Sequence, residues 1–441
     1  MMLAGGGAAL TILLLLAASE PNSEPPTDSV DEAAPRLSSE RAVTPASSAP
    51  AAAVAEPTKQ EQVSDEALES IGDPLVVPSR LKAPPIAYVR SLPAAKDILA
   101  HAKRDGAGHL VVPGTAGPVR LTLDADLQEK LTKTLESYQT PYGAVVVLEP
   151  NTGRVLALAE HSQANPSMRG LTTKAIFPAA SVFKIVTASA LMNEGVSPED
   201  SACFHGGKRN ISVKMLADSS RDRDCMSLSM ALAKSANGVF AKLTHRYLSA
   251  KKLAGFASAF HFNQPIDFPV PTDISLAKFP SDPLGLAATG AGFGDVFMSP
   301  LHGALLATVA ARGGVWQQPY LYEKDVVETA EPQRVMAEDD ARKLSEMMGE
   351  TVRLGTAHKV FHQRGFVIKN AAGKTGSLAD KSPTYRDYSW FVGFAPRENP
   401  KVAVAVVIVN DYRWRIRAPW MAREAMRLYF EGLGHKLHAS R

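Results

Sequence analysis

The spacing of apolar residues changes character along this chain, and each change predicts a different element. "GPVRLTLDADLQEKLTKTLESY" passes from an alternating strand pattern into a helix that Asp124 or Asp126 can cap. "YGAVVVLEP" and "GRVLALAEH" are β-rich runs joined through "NTG" at Asn151 to Gly153, a hairpin signal. A helical region follows from roughly Ala180 to Leu248, broken by a polar stretch. A second one, around "SPLHGALLATVAARGG", stops at Gly313 and Gly314. Three strands return late, in "GFVIKNAAGKTGSL", "YSWFVGFAP" and "KVAVAVVIVND", before an amphipathic helix started by Pro419. Hairpin, helices, three strands and a last helix predict an α/β chain of the α+β type, with an antiparallel five-stranded sheet and helices on both faces.

The other end of the chain has a different texture. "MMLAGGGAALTILLLLAAS" is an uncharged apolar run of about 18 residues, near the lower limit for a membrane span and compatible with a signal h-region. No Lys or Arg precedes it, so residues 1–19 are read as either a cleaved signal or a retained anchor. Both imply export, with the protein periplasmic or anchored to the cytoplasmic membrane and facing outward. From Glu20 to about Asp73 the chain is rich in Pro, Ala, Ser and Glu, too poor in apolar groups to offset ordering entropy, and residues 20–80 are read as a linker. A short connecting segment, 81–120, leads to a main domain at 121–435.

Charge adds one inference. Residues 20–73 hold twelve acids and three bases, a net −9, and the whole chain is +3, so the remainder is +12. A basic module outside a membrane is drawn to anionic lipid and anionic wall polymer. Nucleic acid is excluded as the partner by the export signal and the lack of a basic helix or interleaved aromatic patch.

Chemistry enters with "AAGKTGS", residues 371 to 377. As a phosphate loop it needs glycine at position 368, where Ile368 stands, and a helix after it, where "SLADKSPTYRDYSW" shows no helical period. "GAGFG" at Gly290 to Gly294 has no strand before it and reads as a plain turn. The alternative is an activated serine. A hydroxyl is a poor nucleophile until a base takes its proton, and Ser and Lys three apart on a helix share one face. S-x-x-K starts at Ser79, Ser181, Ser249 and Ser275, but only "AASVFKIVTASALM" places the pair in an almost wholly apolar helix. There Lys184 either loses its charge by desolvation, becoming a base, or snorkels to solvent. S-x-N occurs once, as Ser235-Ala236-Asn237 between two helical runs, and K-T-G once, at Lys374, Thr375 and Gly376. The steps between the three motifs are 54 and 139 residues.

In these motifs, their order and spacing, and in "LTLDADLQ", "AVVVLEPNTGRVLALA", "FPAASVFK", "GAGFGDVFMSPLHGALLATVAARGG", "GTAHKVF", "AAGKTGS" and "WFVGFAPRENPKVAVAVVIV", the chain resembles the transpeptidase domain of the penicillin-binding proteins, within the penicillin-recognising serine enzymes. The resemblance covers roughly Leu121 to Phe430. It implies an acyl-enzyme on Ser181, proton transfer to Lys184, a proton relay through Ser235, and a substrate amide held by Asn237. It also implies that Lys374 and Thr375 bind a terminal carboxylate or support the proton network, and that the backbone N–H groups of Ser181 and Ser377 form an oxyanion hole. Gly376 is read as leaving room for substrate backbone beside an edge strand. Two positions depart from the common pattern: Ala180 stands where many relatives have Gly, and Ser377 where many have Thr.

The implied activity is a serine D,D-transpeptidase acting on peptidoglycan stem peptides and acylated by β-lactams, with no cofactor and no metal. Rivals are a D,D-carboxypeptidase or serine β-lactamase of the same chemistry and, from another class, a β-lactam sensor or non-catalytic wall-binding module. The inner-membrane surface, reached through the N-terminus, and a separate glycosyltransferase are further expected partners, since about 40 residues between linker and domain are too few for a glycosyltransferase module. Cys203 and Cys225, the two cysteines, are expected to form a disulfide in an exported chain, worth about 3 kcal/mol for such a loop. "HKVFH" sets His358 and His362 at i, i+4, but Lys359 replaces the Glu that a zinc-protease motif needs.

Overall fold

The computed structural model describes residues 98–439 apart from 115–116, 208–209, 324–331, 364–367, 369 and 381–384. The expected signal or anchor, the linker and residues 81–97 of the connecting segment lie outside the described residues. The rest of that segment forms a small antiparallel sheet of Lys103–Arg104, Leu110–Gly114 and Gly117–Arg120. Among the described residues no helix is long and apolar enough to cross a membrane.

The elements that build the site run in this order. Helix α1 (Ala125–Ser137) is followed by strands β1 (Tyr142–Leu148) and β2 (Val155–His161). A 3₁₀ turn, Ala180–Phe183, leads into α2 (Lys184–Asn193). A two-stranded hairpin, β3 (Ser201–Phe204) and β4 (Asp224–Ser227), comes before α3 (Leu228–Lys234) and α4 (Asn237–Tyr247). Then come α5 (Pro300–Ala311), α6 (Glu338–Arg353), the three strands β5 (Ala372–Asp380), β6 (Arg386–Ala395) and β7 (Val402–Asn410), and α7 (Ala418–Ala439).

The main sheet has the order β5-β6-β7-β1-β2, every pair antiparallel. β7 lies at its centre, and alternation sends its side chains to two separate cores. Val402, Val404, Val406 and Ile408 pack with Leu127, Leu131 and Leu135 of α1 and with Met421 and Met426 of α7. Ala403, Ala405 and Val407 pack on the opposite face with Leu301 and Leu305 of α5. That double burial is why "VAVAVVIV" is continuously apolar rather than alternating, and each buried Val or Ile contributes about 1.5–3 kcal/mol. The five-stranded α+β expectation therefore matches the molecule.

Local chemistry sets the ends. Asp124 caps α1 by accepting from the backbone N–H of Asp126 and Leu127, each at 3.1 Å. Ser299 caps α5 by accepting from His302 N at 3.1 Å, and Gly313 and Gly314, both at positive φ, end it. The helical region expected from Ala180 to Leu248 is present as α2, α3 and α4, and its polar break holds the strands β3 and β4, which were not expected. Strands of four residues stabilised by cross-strand pairing are too short to show a period in sequence.

Candidate active site

Ser181 sits in the 3₁₀ turn and Lys184 is the first residue of α2, not two positions on one α-helix as expected. In a 3₁₀ turn residues i and i+3 eclipse, which stacks the lysine directly over the serine. The turn starts from Ala180 at φ +47, the left-handed region that glycine enters freely and alanine does not. A glycine, which the family pattern leads one to expect at this position, would bear no such penalty.

Neighbours hold the turn from three sides. Ala179 N donates to Val296 O at 2.8 Å. Trp390 Nε1 on β6 donates to Pro178 O at 2.9 Å. Gly292, at φ +86, packs so closely that an added Cβ would lie 2.5 Å from Ala180 O and 3.0 Å from Ser181 N. "GAGFG", expected to be a plain turn, is thus a wall of the site.

Lys184 is fully buried, while Ser181 is partly exposed above it. Lys184 Nζ lies 2.7 Å from Ser181 Oγ, 2.7 Å from Asn237 Oδ1 and 2.6 Å from Ala291 O. Burial, and then the nearby charge of Lys374, push its pKa well below the usual lysine value. A neutral amine has two N–H groups and one lone pair. When Lys184 is neutral, the amide oxygen of Asn237 and the carbonyl of Ala291, which can only accept, take its two N–H groups and leave the lone pair for the Ser181 hydroxyl.

A second group adjoins the first. Ser235 ends α3 at φ +58, and Asn237 opens α4 two residues later, so the corner between the helices presents both side chains. Lys374 Nζ, buried on edge strand β5, donates to Ser235 Oγ at 3.0 Å and to Thr375 O at 2.8 Å, and burial lowers its pKa to about 7. Thr375 Oγ1 is 2.6 Å from Thr356 Oγ1, and Arg417 Nη2 donates to Ser377 Oγ at 3.1 Å.

A Cβ at Gly376 would lie 3.0 Å from Trp390 Cβ, 3.2 Å from Val182 Cγ2 and 3.3 Å from Ala179 O. A side chain there would therefore crowd the turn that carries Ser181, in addition to the room for substrate backbone expected of this glycine. Ala291, Thr356 and Arg417 are contributors that sequence reasoning passed over. Ala291 acts through a backbone carbonyl that no side chain advertises, whereas the conspicuous "GAGFG" around it was a usable signal.

Cys203 and Cys225 face each other across β3 and β4 and are joined by a disulfide. His358 and His362 pack ring on ring with centroids 4.2 Å apart, and among the described residues no group of three or more His, Cys, Asp or Glu is placed to hold a metal ion.

Comparison with known proteins agrees with this geometry. A family model described as the penicillin binding protein transpeptidase domain matches residues 143–426. The peptidoglycan D,D-transpeptidase PbpA of Mycobacterium tuberculosis (strain H37Rv) is 28% identical over 342 residues, covering 67% of this chain and 67% of its own length. The D,D-transpeptidase domain of a peptidoglycan glycosyltransferase from Eggerthella lenta superposes with a TM-score of 0.59 at 25% identity, over 76% of this chain and 95% of that one. The penicillin G acyl-enzyme complex of penicillin-binding protein A from M. tuberculosis gives 0.56 at 25% identity, over 71% and 80%. With two lysines buried behind a serine in this fold, and a family match over most of the chain, the protein belongs to the penicillin-binding protein transpeptidase family.

Proposed function

We propose that this chain is an exported serine D,D-transpeptidase, with residues 121–435 as its catalytic domain. The observation that carries the reading is the three-way contact of buried Lys184 with Ser181, Asn237 and Ala291, which turns the amine's lone pair toward the nucleophile. The names of the relatives, peptidoglycan D,D-transpeptidases, and the penicillin G acyl-enzyme of a similar structure support the same substrate class.

In the acylation step Ser181 Oγ attacks the carbonyl carbon between the two terminal D-Ala residues of a stem peptide, and its proton passes to Lys184. The backbone N–H groups of Ser181 and Ser377 hold the oxyanion. Collapse breaks the C–N bond, and the leaving D-Ala amine takes a proton through Ser235, which Lys374 resupplies. A group held at about 7 exchanges protons readily near neutral pH. Asn237 orients the stem amide, Lys374 and Thr375 take its terminal carboxylate, and Gly376 lets β5 close on the nucleophile turn. An acceptor amine then attacks the ester and forms the cross-link; the proton it sheds passes through Ser235 to Lys374, and Lys184 returns its proton to Ser181 Oγ as the ester C–O bond breaks.

The N-terminal apolar run supports a location outside the cytoplasm, at the inner-membrane surface, where a separate glycosyltransferase would supply the glycan strands on which the domain works. The test mixes purified protein with a labelled stem peptide, an amine acceptor and fluorescent penicillin. Cross-linked product from wild type and no covalent label on Ser181→Ala are the expected results. Plain hydrolysis or rapid drug turnover would reassign the chain to the carboxypeptidase or β-lactamase reading, and label on Ser181→Ala would remove Ser181 as nucleophile.

A further inference from the structure

The Asn237 amide has a fixed polarity. Its Nδ2 donates to Gly207 O at 3.1 Å, while Oδ1 is 2.7 Å from Lys184 Nζ. Rotating the amide by half a turn sets its oxygen against the Gly207 carbonyl, an unfavourable pair, and turns its NH₂ toward Lys184, where it can only engage the lone pair that would otherwise face Ser181. The Gly207 carbonyl therefore favours the orientation in which Oδ1 of Asn237 meets Lys184.

Gly207 is itself held tightly. It sits at φ +77, and an added Cβ would lie 2.9 Å from Gly238 N and 3.0 Å from Gly238 Cα. Gly238 in turn has the Phe204 ring 2.7 Å from its own Cβ position, so the Phe204–Gly207 backbone lies flat on the first turn of α4. Two ties secure it there. The Cys203–Cys225 disulfide closes the hairpin one residue before Phe204. Beyond it, Asp222 accepts from the buried Lys242 of α4 and pairs with His205 at 2.5 Å, while Asp218 lies 3.2 Å from Lys242 and 3.0 Å from Arg246 Nη2. Lys242 follows Asn237 by five positions on the same helix, so the hairpin loop grips α4 both at its first residue and further along.

We infer that the β3–β4 hairpin is a positioning element for acylation: the Gly207 carbonyl orients Asn237, hence the lone pair of Lys184, and the Cys203–Cys225 disulfide keeps that carbonyl in place. This rests on the proposed roles of Ser181 and Lys184. It makes the acylation rate dependent on an oxidised hairpin, although neither cysteine touches substrate.

The test uses the oxidised full chain and fluorescent penicillin, reading the limiting acylation rate at saturating drug, the fraction of molecules labelled at completion, and the melting temperature. Gly207→Ala keeps the disulfide but displaces the carbonyl, and slows the limiting rate about tenfold while labelling still runs to completion. Gly195→Ala is the control, because Gly195 has φ +85 but nothing within 4 Å of an added Cβ: it bears the same backbone penalty far from these contacts and keeps the wild-type rate. Mild reduction of wild type slows acylation in the same sense, reoxidation restores it, and Cys203→Ser/Cys225→Ser is slow and indifferent to reductant. A Gly207→Ala rate equal to that of Gly195→Ala, or a wild-type rate unchanged by confirmed reduction, overturns the inference. So does loss of the fold under both treatments, since the hairpin would then be holding the domain rather than the amide. Absence of any label on oxidised wild type overturns the underlying serine reading and the inference with it.

Discussion

Lys374 Nζ and Ser235 Oγ meet at 3.0 Å, although 139 residues separate them, so one hydrogen bond joins the edge of the sheet to the corner between two helices. The lysine is buried there and burial lowers its pKa to about 7, so its charged form carries a stability cost.

That cost has a definite sign. An unfolded Lys titrates near about 10.4, so between about 7 and that value the unfolded chain binds more protons and stability rises with pH; below about 7 the full penalty is present. Lys374→Met, close in volume, is expected to stabilise the protein by a few kcal/mol at pH 6 and far less at pH 10, while slowing acylation by about 100-fold or more. Urea unfolding at the two pH values, beside penicillin labelling, checks both halves.

Asn237→Asp exchanges a neutral acceptor for a carboxylate beside Lys184. An adjacent negative charge favours the ammonium form, so the acid limb of the acylation–pH profile should move upward by about one unit or more and the rate at pH 7 should fall about tenfold. Stopped-flow acylation from pH 6 to 10 reads the shift; an unmoved limb would separate Asn237 from the titration of Lys184.

Gly292→Ala drives a Cβ into the Ala180 carbonyl and the Ser181 amide. With its left-handed backbone, this is expected to destabilise by about 2–4 kcal/mol and to cut acylation per folded molecule about 100-fold. Ala180→Gly removes the penalty of φ +47 and should change stability by no more than about 1 kcal/mol, in the stabilising direction, with acylation retained. Denaturant melts and labelling kinetics on the pair decide whether this wall positions the nucleophile.

Trp390→Phe leaves Pro178 O without its indole donor inside the core. The expected loss is about 1–3 kcal/mol, with a slower acylation because the freed segment carries Ser181 three residues on. Tryptophan-independent unfolding by far-UV circular dichroism measures the first, and the labelling rate measures the second.

Much of this was legible in the chain. "KVAVAVVIV" announces a strand buried on both faces because its alternate residues, Val404 and Ala405 for example, must each find a core. "NTG" announces a hairpin, and S-x-N and K-T-G, each occurring once, stand out by their order after the one S-x-x-K that lies in an apolar run. The 3₁₀ geometry at Ser181, the β3–β4 hairpin and the crowding at Gly376 were not legible, since each depends on which distant segment packs alongside.

By itself, then, the sequence determined the sheet, its flanking helices and the reactive side chains, because periodicity and residue type are local properties. Tertiary structure alone decided how those side chains are aimed. The partners that aim them are Ala291 O, 107 residues from Lys184, and Gly207 O, 30 residues from Asn237. Every residue carries a carbonyl, so no residue type marks these two; only the folded path of the backbone brings them to a buried amine and an amide.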